Sequence, residues 1–203
     1  MSLTDTQKYQ AKAKDSFTTK KRMFIFDKAL KQEKECNLQE FEQFKITKRL
    51  VADYTTKYWQ YNRDKKVRNG YTPDELYHFM KKFEEDNNDK LKDFEKDYVN
   101  NFEKVFKKDD FELLLKQKHC KYCKITETEI KALADKHQLF KKSERGWSLE
   151  VDRKNSNYEY TKDNCVMACY WCNNAKTDEF THEEFMLVGT AIEYIWIKRL
   201  SKG

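Results

Sequence analysis

Four of the six cysteines in the chain form two pairs, Cys120-x-x-Cys123 and Cys169-x-x-Cys172. Two residues between thiolates let one tight turn aim both sulfurs at a single ion, and two such turns complete a tetrahedral, all-thiolate site for zinc. Four sulfurs close the shell, so this ion is expected to be structural. Cys36 and Cys165 are left over as free thiols. The same part of the chain holds a polar cluster, Asp152, Arg153, Asn164, Asn173 and Asn174. Leu149 and Val151 alternate with Glu150 and Asp152 as in a strand, Cys165 to Met167 reads as a returning strand, and the second cysteine pair opens a short helix. An acid at the end of the first strand and an amide at the start of that helix would bring one hard oxygen ligand from each side of a hairpin. Such a pair, completed by phosphate oxygens and water, suits Mg²⁺ or Mn²⁺.

The runs "CKYC", "VDR", "YTKDN" and "CYWCNNAKTDEFT", in this order over roughly residues 117 to 185, resemble the HNH endonucleases of the ββα-metal family, in the version with two zinc-binding C-x-x-C pairs. The resemblance implies hydrolysis of phosphodiester bonds in DNA. It assigns Asp152 and Asn173 to the catalytic divalent ion, with Asn174 as the alternative amide. It further assigns Asn164 to bracing the loop and Lys176 to nucleic-acid phosphate. One position departs from the family pattern: the histidine that follows the aspartate as general base is Arg153 here. Arginine stays protonated in proteins and cannot accept the proton of a water. The resemblance to members with "DR" and a tyrosine shortly before the middle asparagine makes Arg153 a phosphate clamp. The proton then passes to a metal-bound hydroxide or to Tyr160, whose phenol could serve as base or nucleophile.

The expected fold class is α+β and mainly α. Residues 1 to 22 read as a basic flexible arm, residues 23 to 116 as a helical region for DNA binding or dimerisation, and residues 117 to 203 as the zinc-stapled ββα-metal domain with a C-terminal helix. A first helix is expected from Lys21 to Glu35 and a second from Asn37 to about Asn69-Gly70. Thr72-Pro73-Asp74-Glu75 sets a capping hydroxyl, a first-turn proline and a capping-box glutamate in register, and Leu76, Phe79, Met80 and Phe83 follow on one face. Leu91, Phe94, Tyr98, Phe102 and Val105 give a further stripe. Thr126-x-x-Glu129 and Thr181-x-x-Glu184 mark two later helix starts.

The net charge of +6 is unevenly spread. Residues 1 to 22 carry +4, residues 57 to 68 ("KYWQYNRDKKVR") another +4, and residues 69 to 116 carry −4. A local positive surface is what phosphate contact requires. Lys57, Arg63, Lys65, Lys66 and Arg68, with the interleaved Tyr58, Trp59 and Tyr61, are therefore candidate substrate contacts. No apolar run is long enough to span a membrane and the N-terminus lacks a signal-peptide core, so a cytoplasmic protein of a bacterium or of a phage-infected host is expected. DNA is the expected partner, with a homodimer possible because a double-strand break needs two active sites or two events. The competing expectation is a zinc-stabilised nucleic-acid-binding module without catalysis.

Overall fold

The computed structural model describes residues 3–58, 70–140 and 145–202. These form two compact units. One comprises Met1–Val105 with Asn157–Tyr160, the other Phe106–Ser156 with Thr161–Gly203. The fold is mainly helical α+β, with a single two-stranded sheet among the described residues.

The first unit is built on α1 (Asp5–Lys31), followed by α2 (Leu38–Gln43), α3 (Lys48–Ala52), a π-helical turn (Asp53–Tyr58), α4 (Pro73–Asp86) and α5 (Asn88–Asn100). Residues 5 to 22, expected as a flexible arm, are instead the first five turns of α1. Thr4 and Gln7 start it with a reciprocal capping box. The helix escapes a hydrophobicity reading because its inward face is partly polar: Ser16, Thr19 and Lys20 are buried beside Ala13 and Phe17. The Lys20 ammonium donates to the Glu42 carbonyl at 3.3 Å and lies over the rings of Phe41 and Tyr98. Such partners make a buried lysine tolerable.

The helix expected from Asn37 onward is broken at Phe44 to Thr47. Phe44 leaves α2 in extended conformation, and the Thr47 hydroxyl, accepting from the Leu50 amide, starts α3 afresh. Thr72 caps α4 with Glu75 as its sequence indicates. The core is strongly aromatic: Phe41 stacks on Phe94 and meets Phe17, Phe24 and Tyr98. A neighbouring cluster joins Met23, Phe26, Leu30, Leu50, Tyr54 and Leu76.

The second unit starts with Phe106 and α6 (Lys108–Leu115), followed by the first cysteine pair, α7 (Glu127–Asp135), β1 (Glu150–Arg153), β2 (Cys165–Ala168), α8 (Tyr170–Lys176) and α9 (His182–Leu200). The strands pair antiparallel, with Asp152 opposite Val166 and Arg153 opposite Cys165. Thr126 and Thr181 cap α7 and α9 through capping boxes with Glu129 and Glu184. Among the described residues no helix is long and apolar enough to cross a membrane.

Candidate active site

The two cysteine pairs meet through two kinds of turn. Cys120 and Cys123 sit on a knuckle closed by the Cys120 amide on the Ile125 carbonyl and the Lys124 amide on the Cys120 carbonyl. Lys124 takes the left-handed conformation needed to reverse the chain there, at φ 59°. Cys169 is the N-cap of α8 and Cys172 stands in its first turn, so one helix start presents both sulfurs. The Lys121 amide donates to the Met167 carbonyl at 2.8 Å and ties the knuckle to β2.

All four cysteines are buried, and their sulfurs lie within 4.8 Å of one another. Cys123 Sγ and Cys169 Sγ are 3.5 Å apart. Sulfurs at a zinc distance of about 2.3 Å in a tetrahedron stand ~3.8 Å from each other, so the cluster fits that ion. The thiols also interact as a set. Hydrogen bonds from the neighbouring thiols hold Cys120 far below the ordinary thiol range, while the same neighbours push Cys169 and Cys172 far above it. Protons shared in this way are what a central dication displaces.

Beside the cluster, period-two alternation puts Glu150 and Asp152 on one face of β1, and α8 packs against that strand with Asn173 and Lys176 one turn apart. Asn173 Nδ2 donates to Glu150 Oε2 at 2.8 Å. Arg145 grips the same carboxylate through Nε at 3.2 Å and a second guanidinium nitrogen at 2.7 Å. Lys176 Nζ stands 3.7 Å from Asp152 Oδ2, with side-chain exposures of 4% and 10%. Lys176, assigned from sequence to phosphate, is thus buried as the ionic partner of Asp152.

Asp152 has a second partner on Oδ2: the Tyr122 hydroxyl donates to it at 3.0 Å. Burial raises the Asp152 carboxyl above the ordinary carboxylate range, against the opposing pull of Lys176, the Tyr122 hydroxyl and Arg153. Burial likewise pushes the Tyr122 phenol far above its usual range, which keeps it a neutral donor. His182, at the start of α9, brings Nδ1 to 3.4 Å from the same hydroxyl, and burial with the nearby charges of Lys154, Lys121 and Lys176 lowers its pKa, against the pull of Glu183.

Tyr122, His182, Glu150 and Arg145 are residues of this network that are not candidates from the sequence. Tyr122 lies between the cysteines of the first pair, where any residue is compatible with the spacing. Gly189 brings α9 into place: a Cβ at that position would stand 2.8 Å from the Tyr122 backbone, so only glycine permits the approach that carries His182 in. Glycine within a helix costs about 0.5–1 kcal/mol relative to alanine, and this approach is the reason for it.

Asn164 closes the loop after β1. Its Oδ1 accepts from the Asn155 amide and its Nδ2 donates to the Asn155 carbonyl, both at 3.0 Å, while its own carbonyl accepts from the Lys154 amide at 2.7 Å. Arg153 is half-buried on β1. Asn174 is turned back on α8, donating to the Tyr170 carbonyl. Tyr160 belongs to the first unit, where it is buried. Its amide donates to Ser16 Oγ at 3.0 Å and its hydroxyl accepts from Lys12 at 3.3 Å, with the same ammonium 4.8 Å from the ring centre. Arg63, Lys65, Lys66, Arg68 and the side chain of Lys57 lie outside the described residues.

Asp152 and Asn173 carry oxygens of the chemical type that a hard divalent ion takes. Asp152 contributes carboxylate oxygen from β1, and Asn173 is anchored on Glu150 through its Nδ2, which leaves the carbonyl oxygen as the free end of the amide. Oxygen donors of this kind suit Mg²⁺ or Mn²⁺ rather than a softer ion.

No protein-family model and no curated protein matches the chain. Among solved structures it is similar to the rare-cutting HNH restriction endonuclease PacI, at 29% identity over 51% of this chain and 75% of that one, with a TM-score of 0.39. A likeness at that score assigns no function. The residues have to do so.

Proposed function

We propose that the chain is a metal-dependent DNA endonuclease of the HNH type, with zinc in the four-cysteine site as its structural staple. The observation that carries this reading is the pairing of β1 with α8. A strand–loop–strand–helix unit beside a four-cysteine cluster bears Asp152 and Asn173 on facing elements, in the order and spacing of the motif.

In this reading Asp152 and Asn173 hold a divalent ion, which when bound supplies positive charge to the phosphate and to the leaving oxygen. The protein's own residues do the rest. Tyr122 and Lys176 fix the rotamer of Asp152 and keep its carboxylate available despite burial. Arg153, adjacent and permanently charged, clamps a phosphate oxygen through its planar fork. Asn164 holds the loop after β1 in the shape that presents Arg153. Tyr160 is the proposed proton acceptor or nucleophile, a role that Arg153 cannot fill. DNA grip is assigned to the helical region and to the basic residues Lys57, Arg63, Lys65, Lys66 and Arg68.

One observation favours the alternative of nucleic-acid binding without cutting: Asp152 Oδ2 is already paired with Tyr122 and Lys176. Cleavage of a labelled duplex with Mn²⁺ by Asn173→Ala and Asn174→Ala separates the readings. The nuclease reading expects loss of at least about a hundredfold in Asn173→Ala, in line with removal of a group that stabilises developing charge, and near-normal cutting in Asn174→Ala. Salt-sensitive DNA binding with no cutting by any form would establish the binding module.

A further inference from the structure

Helix α9 has one face committed to its own unit and another, equally apolar, that is not. Phe185, Gly189 and Trp196 are buried. On the opposite side Leu187 is 77% exposed, Tyr194 61%, Ile195 46% and Val188 36%, with Ala191 exposed between them. Single exposed apolar residues are ordinary, but a contiguous apolar stripe marks an interaction surface. Glu184, Val188, Ala191, Ile195 and Lys198 follow one another at alternating steps of four and three, which keeps them on one seam of the helix.

The order of residues along this seam identifies its occupant. Around Ala191, Val188 and Tyr194 stand three positions to either side, Leu187 and Ile195 four, and Glu184 and Lys198 seven. When a second copy of the helix lies antiparallel with a two-fold axis at Ala191, Leu187 faces Ile195 of the other copy, Val188 faces Tyr194, and Glu184 faces Lys198. The small side chain falls at the closest approach, apolar meets apolar, and both ends of the seam pair opposite charges. A parallel arrangement would oppose Glu184 to Glu184 and Lys198 to Lys198. A membrane-surface helix carries its basic residues on a polar face opposite the apolar one, whereas here the opposite face is the buried one. Self-complementarity about one axis is the property of an isologous dimer interface.

We propose that α9 is a homodimerisation surface, two copies of the chain pairing antiparallel through Leu187, Val188, Ala191, Tyr194 and Ile195, with Glu184 and Lys198 setting the direction. The surface is independent of whether the chain cuts DNA, and its test needs no nucleic acid.

Sedimentation of the full-length, zinc-loaded chain over a range of concentrations is expected to show a monomer–dimer equilibrium. Leu187→Glu should weaken it on the order of a hundredfold, the size of a central interface residue. Lys198→Glu should weaken it, because like charges then face each other at both ends of the seam; Glu184 stays native, since its carboxylate also closes the capping box at Thr181. Circular dichroism and zinc content verify that each variant is folded. Ala191→Cys supplies an on-axis thiol in a chain whose six native cysteines are all buried, so mild oxidation should produce a covalent dimer. A wild-type chain that stays monomeric throughout, with or without lipid vesicles present, overturns the proposal. So does a dimer indifferent to Leu187→Glu, and so does an Ala191→Cys variant that fails to cross-link.

Discussion

The two units solve the problem of stability in different ways. The first buries an aromatic network across α1, α2 and α5, with Phe41 at its centre touching four other rings. Its order follows from apolar area removed from water. The second buries Phe106, Phe111, Tyr122, Ile130, Leu133 and Phe185, but its sheet has only four residues per strand and α8 seven residues in all, and the four-cysteine cluster lies between them. The zinc proposed for that cluster would add coordination to burial there. Small domains need such staples, and here Cys172 of the cluster directly precedes Asn173 on α8. The lesson is that one unit is ordered by apolar packing alone, while the other adds to its packing a cluster whose proposed zinc–sulfur bonds are few and strong.

The largest effect is expected from removing those bonds. Structural zinc contributes about 10–16 kcal/mol of apparent binding energy in small domains. Chelation, or Cys172→Ser, is therefore expected to unfold the second unit while the helical signal and a cooperative melt of the first unit survive. Circular dichroism with a parallel zinc assay checks this. The converse cut is Phe41→Ala, which should cost the first unit about 3–5 kcal/mol and leave zinc stoichiometry unchanged.

A more local perturbation is Lys176→Ala. It leaves Asp152 buried without its cationic partner and should destabilise the second unit by about 3 kcal/mol. The milder Lys176→Met sharpens the pH argument. Burial raises the Asp152 carboxyl and Lys176 opposes that rise, so the carboxylate needed for an ion is lost as pH falls through a value above the ordinary carboxylate range. Mn²⁺ affinity of the zinc-loaded protein should therefore fall off at a pH above the ordinary carboxylate range, and at a still higher pH in Lys176→Met. The smallest expected effect is that of Tyr122→Phe, which removes only the donor on Asp152. A loss of about 10–100-fold in metal affinity or cutting, with zinc retained, is the size of such supporting contacts.

What could be read from the sequence follows from the range over which each signal acts. The capping boxes at Thr72, Thr126 and Thr181 span three residues each and appear in the structure where the sequence sets them. The cysteine pairs are local in the same sense. The length of α1 was hidden because Ser16, Thr19 and Lys20 occupy its inward face, although Thr4 and Gln7 carried a capping signal at its start. The Tyr122–Asp152 contact joins residues thirty apart and the Tyr122–His182 contact residues sixty apart. The second depends on how α9 docks at Gly189, which no local pattern encodes. The sequence marks only the start of the final helix, and the structure shows which of its sides is covered.

The most direct test of the central claim is conversion of supercoiled plasmid by the zinc-loaded chain with Mg²⁺ or Mn²⁺, beside an Asp152→Ala variant verified to retain its zinc. The account predicts metal-dependent nicking or linearisation by the wild type, abolished in the variant. Cutting that persists undiminished in Asp152→Ala, or DNA binding without cutting under any divalent ion, would contradict it.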